Sequence, residues 1–255
     1  MEPIRIAVAG AAGRMGRHIV RCAANDGECV IVGAVESRGH VSIGRDAGFG
    51  VDPVGVAITD DWSTSLSRAE AVIDFTTPAA SVDIAERAAD AGIVHVIGTT
   101  GFSKEQEARV AAAAQNAVII KSGNMSRGAN LVAALVRDAA RILRDFDVQV
   151  VEMHHREKKD APSGTALMLG RAAVDSCADR TSDVMDPARD VVFASLRGGT
   201  VVGEHKVIFA GPHERVIFEH VAEDRSIFAR GAIAAAKWGR GQRSGLYSMS
   251  DVLGL

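Results

Sequence analysis

Residues 153–167 read Met-His-His-Arg-Glu-Lys-Lys-Asp-Ala-Pro-Ser-Gly-Thr-Ala-Leu. Two adjacent histidines, two lysines and a Ser-Gly-Thr helix start share this short segment. Histidine titrates near neutral pH and passes protons. Lysine supplies a fixed charge, or a proton where its surroundings lower its pKa. A helix opening at Ser163-Gly164-Thr165 offers N–H groups and a hydroxyl suited to a carboxylate. His154 and His155 end a strand-like run, and neighbours on a strand point to opposite faces. Both face one pocket only if the strand stops there and the chain turns, as Pro162 and Gly164 allow. The bland alternative is a solvated charged loop, and the adjoining helix start is what favours an anion site.

A second constellation lies near the N-terminus. Gly10-Ala-Ala-Gly13-Arg-Met-Gly16 follows the apolar run Ile4–Ala9. Glycines there permit a tight turn and close backbone approach to a pyrophosphate, and the helix that follows presents free N–H groups and a positive dipole end. Arg14 adds charge. Glu36 comes after a second strand-like run, where a carboxylate accepts hydrogen bonds from an adenosine ribose. Arg38, two residues on, is placed for a 2′-phosphate instead. Phe75-Thr76-Thr77-Pro78 and Gly98-Thr99-Thr100-Gly101 follow two further strand-like runs. Ligands of open α/β sheets bind at such carboxyl ends, although each stretch alone also reads as turn chemistry.

The elements that must carry these residues are visible in the apolar pattern. Ile4–Ala9, Val30–Val35, Ala71–Phe75, Ile93–Ile97 and Val118–Ile120 read as buried parallel strands. Met15, Ile19 and Ala23 fall at helical spacing, and alanine-rich helical stretches occupy about 81–91 and 103–116. Ser103 with Gln106 predicts a capping box. This alternation predicts a Rossmann-type, doubly wound parallel sheet. Beyond 125 the pattern is α+β. Helices are expected over Asn130–Leu143 and Thr165–Cys177. Strands are expected over Val148–Met153, Val191–Leu196, His205–Ala210 and Arg215–Val221, in a mainly antiparallel or mixed sheet. Gly231–Trp238 is helical again. The expected domains are 1–125, completed by 227–255, for the dinucleotide, and 126–226 for substrate binding and oligomerisation.

Composition excludes several classes. A net charge of −3 gives no electrostatic reason to expect nucleic acid, and aromatic residues at 4% do not make a base-stacking platform. No apolar run reaches the length of a membrane helix. Cys22, Cys29 and Cys177 have no metal-type spacing, so no metal site is expected and the thiols read as reduced. Without a basic, apolar leader pattern the expectation is a cytoplasmic protein.

These motifs, in this order and spacing, resemble the dihydrodipicolinate reductases of bacterial lysine and diaminopimelate biosynthesis. The resemblance runs over nearly the whole chain: Val8 to Gly16, Ile73-Asp74-Phe75-Thr76, Gly98 to Phe102, Asn124-Met125-Ser126, Glu152 to His155, Lys158, Asp160 to Ala166, and Gly203-Glu204-His205. It implies reduction of 4-hydroxy-tetrahydrodipicolinate, a small cyclic dicarboxylate, to tetrahydrodipicolinate. Water is lost and hydride comes from NADPH or NADH. His154 would be the proton donor or acceptor and Lys158 the proton donor. His155, Gly164, Thr165 and Arg225 would bind substrate. The cofactor would meet Gly10, Ala11, Ala12, Gly13, Arg14 and Met15, then Glu36, Ser37 and Arg38. It would also meet Gly98, Thr99 and Thr100, and Ser122, Gly123, Asn124 and Met125. A homotetramer is implied, with strands between 191 and 221 as assembly surfaces. Hinges are implied near Ser122–Gly128 and Arg225–Phe228. The chain departs from the family pattern at Ser37 and Thr77, where basic residues are common, and at Met125, where phenylalanine is.

Two other readings fit the coarse pattern. A semialdehyde dehydrogenase-like enzyme would need an activated cysteine, and none of the three lies beside a turn with a paired histidine. A nicotinamide-sensing regulator without catalysis would not need His154, Lys158 and Thr165 together.

Overall fold

The computed structural model describes residues 2–48, 52–175 and 191–255. The helix expected over Thr165–Cys177 therefore ends, with Cys177, outside the described residues. In chain order the elements are β1 (Ile4–Ala9), α1 (Arg14–Ala24), β2 (Cys29–Val35), α2 (Trp62–Leu66), β3 (Ala71–Asp74), α3 (Pro78–Ala91), β4 (Val94–Ile97), α4 (Lys104–Ala113) and β5 (Val118–Lys121). There follow α5 (Arg127–Ile142), β6 (Asp147–His154), α6 (Gly164–Asp175), β7 (Val191–Arg197), β8 (Gly203–Gly211), β9 (Glu214–Ala222), α7 (Ser226–Gly239), β10 (Gly245–Tyr247) and α8 (Met249–Leu253). They divide into two compact units, Met1–Met125 with Ser226–Gly254, and Ser126–Arg225.

The first unit holds a parallel six-stranded sheet in the order β10-β5-β4-β3-β1-β2. Alternation along each strand sends side chains to opposite faces. Ile4, Ile6 and Val8 of β1 pack with α1 and with Ala229, Ala232, Ile233 and Ala236 of α7. Ala7 and Ala9 face the other way, towards Val72, Ile84 and Ala88. Both faces are thus covered, which is why the strands are apolar throughout rather than alternating. Local signals set the helix starts. Ser103 and Gln106 form the expected capping box, and Thr77 caps α3 with Pro78 in its first turn.

In the second unit four strands run β7-β6-β8-β9. The pairs β6–β8 and β8–β9 are antiparallel, while β6–β7 is parallel. One face is packed by α5 and α6 through Val136, Leu169, Val150, Val207 and Phe209. α5 starts three residues earlier than its apolar period suggests, because the Ser126 hydroxyl caps it, accepting from Ala129 N–H at 3.2 Å. Three short elements, α2, β10 and α8, are absent from the apolar pattern of the sequence. Each has five residues or fewer, less than a period-based reading needs.

Candidate active site

In the first unit the glycine turn joins β1 to α1. Gly10 has φ +64°, and its N–H and that of Ala11 both donate to the Val35 carbonyl at the end of β2. A Cβ on Gly16 would stand 2.0 Å from the Gly10 carbonyl oxygen, so only glycine lets α1 start this close to the turn. No side chain caps this helix. Glu36 reaches back to it: Oε1 accepts from Ala12 N–H at 2.9 Å, and Oε2 from Ser37 N–H at 3.2 Å. Its remaining lone pairs are available to hydroxyl donors. Arg14, Ser37 and Arg38 are exposed around it.

A carboxylate to which the sequence motifs assign no role holds the neighbouring loop. Asp74, at the end of β3, is fully buried. Its Oδ1 accepts from Thr76 N–H at 2.8 Å and Oγ1 at 2.6 Å, and its Oδ2 from the Ser81 hydroxyl, with His95 Nε2 3.5 Å away. Burial opposes its charge, but His95, Ser81 and Thr76 together hold its pKa below the ordinary carboxylate value. The Thr76 methyl in turn backs onto Gly10, where a Cβ would stand 3.0 Å away.

The other expected cofactor residues divide by exposure. Thr100 and Gly123 are exposed, and Gly98 lies against the Phe75 ring. Thr99 is buried, with a hydroxyl that finds no partner among the described residues. Ser122 donates its hydroxyl to the Asn124 carbonyl at 2.8 Å. Met125 is only 1% exposed, in the core beneath α7, whose Gly231 lies on its carbonyl. The Met125 side chain is a core contact.

The second unit gathers Glu152, His154 and His205 on the inner face of its sheet. Residues 150, 152 and 154 of β6 are buried while their neighbours are only partly so. β6 ends at His154, so His155 falls in a turn, as a shared pocket for the two histidines requires. Glu152 lies beside Ser195 on β7 and His205 on β8, and His154 beside Arg197. His154 Nδ1 makes a very short hydrogen bond to Glu152 Oε2. A Cβ on Gly203 would stand 3.0 Å from His154 Nε2, so the glycine leaves that nitrogen room.

Charges here are tightly set. Burial raises the cost of ionising Glu152, yet the Arg197 guanidinium, Ser195 and His154 more than offset it and hold its pKa at about 2. Burial lowers the pKa of His154. Glu152 opposes that shift, and Lys158 and Arg197 reinforce it. A neutral imidazole whose Nδ1–H donates to the carboxylate keeps the Nε2 lone pair free. His205 meets the His154 ring edge-on at 5.1 Å and is pushed down to about 3, first by burial and then by His154. Its Nε2 stands 3.0 Å from the hydroxyl of Ser163, which also accepts from Ala166 N–H in the first turn of α6. Lys158 pairs with Asp160 Oδ1 at 2.8 Å.

The structure therefore brings His154 together with Lys158's loop and with the start of α6 that carries Gly164 and Thr165. Arg225 sits in the connection between β9 and α7, and among the described residues no hydrogen bond or ion pair links it to the histidines. Four further residues join the site without a role assigned from the sequence: Glu152, Ser163, Arg197 and His205. Glu152 leaves a signal, a carboxylate two residues before His154 and hence on the same strand face. Arg197 leaves none, because a parallel pairing between β6 and β7 cannot be read from either strand alone.

The family description "Dihydrodipicolinate reductase, N-terminus" matches residues 4–125, and "Dihydrodipicolinate reductase, C-terminus" matches residues 128–253. The chain belongs to the dihydrodipicolinate reductase family. A 4-hydroxy-tetrahydrodipicolinate reductase of Methylocella silvestris is 53% identical, covering 100% of this chain and 98% of the relative. One from Brucella abortus is 52% identical over 98% of both chains. The fold is also that of a solved dihydrodipicolinate reductase with dipicolinate bound, from Paenisporosarcina sp. TG-14, at TM-score 0.78 and 22% identity over 96% of this chain and 97% of the other.

Cys29 is not activated for nucleophilic chemistry. Burial and the nearby Asp26 push the Cys29 thiol up to about 11, the reverse of what a nucleophile needs. Among the described residues no cluster of three or more His, Cys, Asp or Glu side chains is arranged for a metal ion. Nor is any helix of the described residues long and apolar enough to cross a membrane.

Proposed function

We propose that this chain reduces 4-hydroxy-tetrahydrodipicolinate to tetrahydrodipicolinate, in diaminopimelate and lysine biosynthesis. In total, one substrate, one NAD(P)H and one proton give product, NAD(P)+ and water. The observation that carries this reading is the Glu152–His154 pair set beside the Lys158 loop and the α6 start. It joins proton handling to anion binding in one place, as a dicarboxylate undergoing reduction requires. The full-length likeness to reductases of that name supports the same substrate.

The reduced nicotinamide supplies the hydride. Its pyrophosphate fits the turn of Gly10, Ala11, Ala12, Gly13, Arg14 and Met15, whose glycines leave no room for side chains. Glu36 holds the ribose. The unpartnered Thr99 hydroxyl and its neighbours Gly98 and Thr100 form a second wall, and Ser122, Gly123 and Asn124 a third. Met125 shapes that segment from the core. Ser37 stands where a basic residue would select a 2′-phosphate, and Arg38 is one step further on. We infer that both NADPH and NADH are used.

On the substrate side, Gly164 and Thr165 present N–H groups and a hydroxyl to one carboxylate. His155 and Arg225 complete the anion binding. Lys158 offsets the substrate's negative charge and donates a proton. His154 accepts or returns a proton at Nε2, because its Nδ1–H is committed to Glu152. The outer face of the second sheet exposes Val192, Leu196, Ile217 and Val221. This apolar strip is the proposed contact between copies in a homotetramer.

The test is cofactor oxidation by purified protein given substrate freshly formed from pyruvate and aspartate semialdehyde, with NADPH and NADH side by side. Rapid oxidation is expected with both. Replacing Lys158 with Ala should nearly abolish turnover and leave cofactor binding intact. Cofactor binding without oxidation in the parent protein would favour a sensor, and the reductase reading would fall.

A further inference from the structure

Arg197 ends β7, on the strand beside the catalytic histidine, and no step of the proposed reaction uses it. Each of its three nitrogens nevertheless donates a hydrogen bond. Nη1 donates to Glu152 Oε2 at 3.0 Å and to the Leu196 carbonyl at 2.7 Å. Nε donates to the Lys158 carbonyl at 3.2 Å, and Nη2 to the Asp160 carbonyl at 2.6 Å. Nη2 also makes a close charge contact with Glu152 Oε1 at 2.9 Å. An arginine has five N–H donors in one rigid plane. Apart from the bond to its neighbour Leu196, they point at two things. One is the carboxylate under His154; the other is the backbone of the loop that carries Lys158.

The same loop is tied to the end of β7 by its main chain. Gly198 N–H donates to the His154 carbonyl at 2.9 Å, and Arg156 N–H to the Gly199 carbonyl at 3.3 Å. Those bonds hold the first residues after β6. Residues 158–160 lie beyond them and are held to β7 through Arg197.

We propose that Arg197 is a positioning residue that fixes the Lys158 loop relative to the His154–Glu152 pair, so that the two proton-handling groups act on one substrate in register. The inference rests on the proposed proton-transfer roles of His154 and Lys158. A lysine would keep the charge beside Glu152, but a compact ammonium on a flexible stem cannot span a carboxylate and two carbonyls in one plane. A displacement of about 1 Å at a reacting group can cost on the order of 100-fold in rate. Removing the charge altogether would strand a buried carboxylate and threaten the fold, so the informative change is Arg197→Lys.

Four proteins are compared in single turnover at high enzyme concentration: parent, Arg197→Lys, Lys158→Ala and the double variant. Arg197→Lys should lower the rate roughly 10- to 100-fold, with the cofactor Kd unchanged. In the Lys158→Ala background the same substitution should cost less than about threefold, because the group it positions is gone. An equal fold-loss in both backgrounds would make Arg197 merely structural and overturn the proposal. So would a parent-like rate for Arg197→Lys while Lys158→Ala has collapsed. If Lys158→Ala kept the parent rate, the catalytic reading itself would fail instead. A second measurement needs no variant. Nitrogen-15 NMR of the parent should show the Arg197 Nη groups as separate, slowly rotating signals, and a single averaged signal would count against the lock.

Discussion

The two units build their sites from different material. In the first, the ligand-facing features are mostly main chain: a glycine turn, an uncapped helix start and loops at strand ends. Asp74 and Glu36 serve by holding that main chain in place. In the second, the candidate site consists of side chains on strand positions, with Arg197 on Glu152, Glu152 on His154 and His154 on His205 across three adjacent strands. A site made of backbone tolerates changes of side chain but not of shape. A site made of side chains reacts to the loss of a single proton or charge.

The largest effect should come from His154→Ala in the second unit. General acid–base groups contribute typically about 100- to 10,000-fold, so kcat should fall by that order, with an unchanged Kd for the cofactor in a fluorescence titration. A matching loss of cofactor affinity would erase the division of labour between the units.

Gly16→Ala probes the other side of the comparison with a single methyl group. The added Cβ would stand 2.0 Å from a main-chain carbonyl oxygen, which a side-chain rotation cannot relieve. Overpacking of this kind costs about 1–3 kcal/mol, visible as a lower Tm, and it should weaken cofactor binding. Normal cofactor affinity in a folded variant would show that the turn bends freely.

A graded effect concerns pH and separates the units by titration. His205 resists protonation to about pH 3 in the folded protein, against its ordinary 6.5. Between these values the unfolded chain binds the extra proton. Its stabilising contribution is therefore complete above pH 6.5 and declines as the pH falls towards 3, by at most about 1.4 kcal/mol per pH unit. Glu152 has the same sign in a lower window, from about 4.5 down to about 2. His205→Gln should flatten the acid side of a plot of Tm against pH between 6.5 and 4. Superimposable curves for variant and parent would place the acid sensitivity elsewhere.

Much of the first unit is legible in the sequence alone. Its strands are short apolar runs, and the Gly10 to Gly16 turn and the Ser103 cap are local patterns read in a few residues. Asp74 is visible as a residue but not as a network, since His95 and Ser81 reach it from two other elements. In the second unit the order of elements is legible, while the parallel pairing of β6 with β7 is not.

By itself, then, the sequence determined the identity and spacing of the chemical groups: the glycine turn, Glu36, the two histidines, Lys158 and the helix start at Ser163. These are local, because turns, caps and helix termini are built by residues within a few positions of one another. Only the tertiary structure decided which groups act as one. Strand register set Arg197 beside His154 across 43 positions of chain and placed Glu152 and His205 in the same row. Arg197, Ser195 and His154 then held Glu152 ionised against its burial, while burial kept His205 neutral at pH 7 and pushed His154 the same way. Register and burial depend on packing between distant segments, and that information is not carried by any one stretch of the chain.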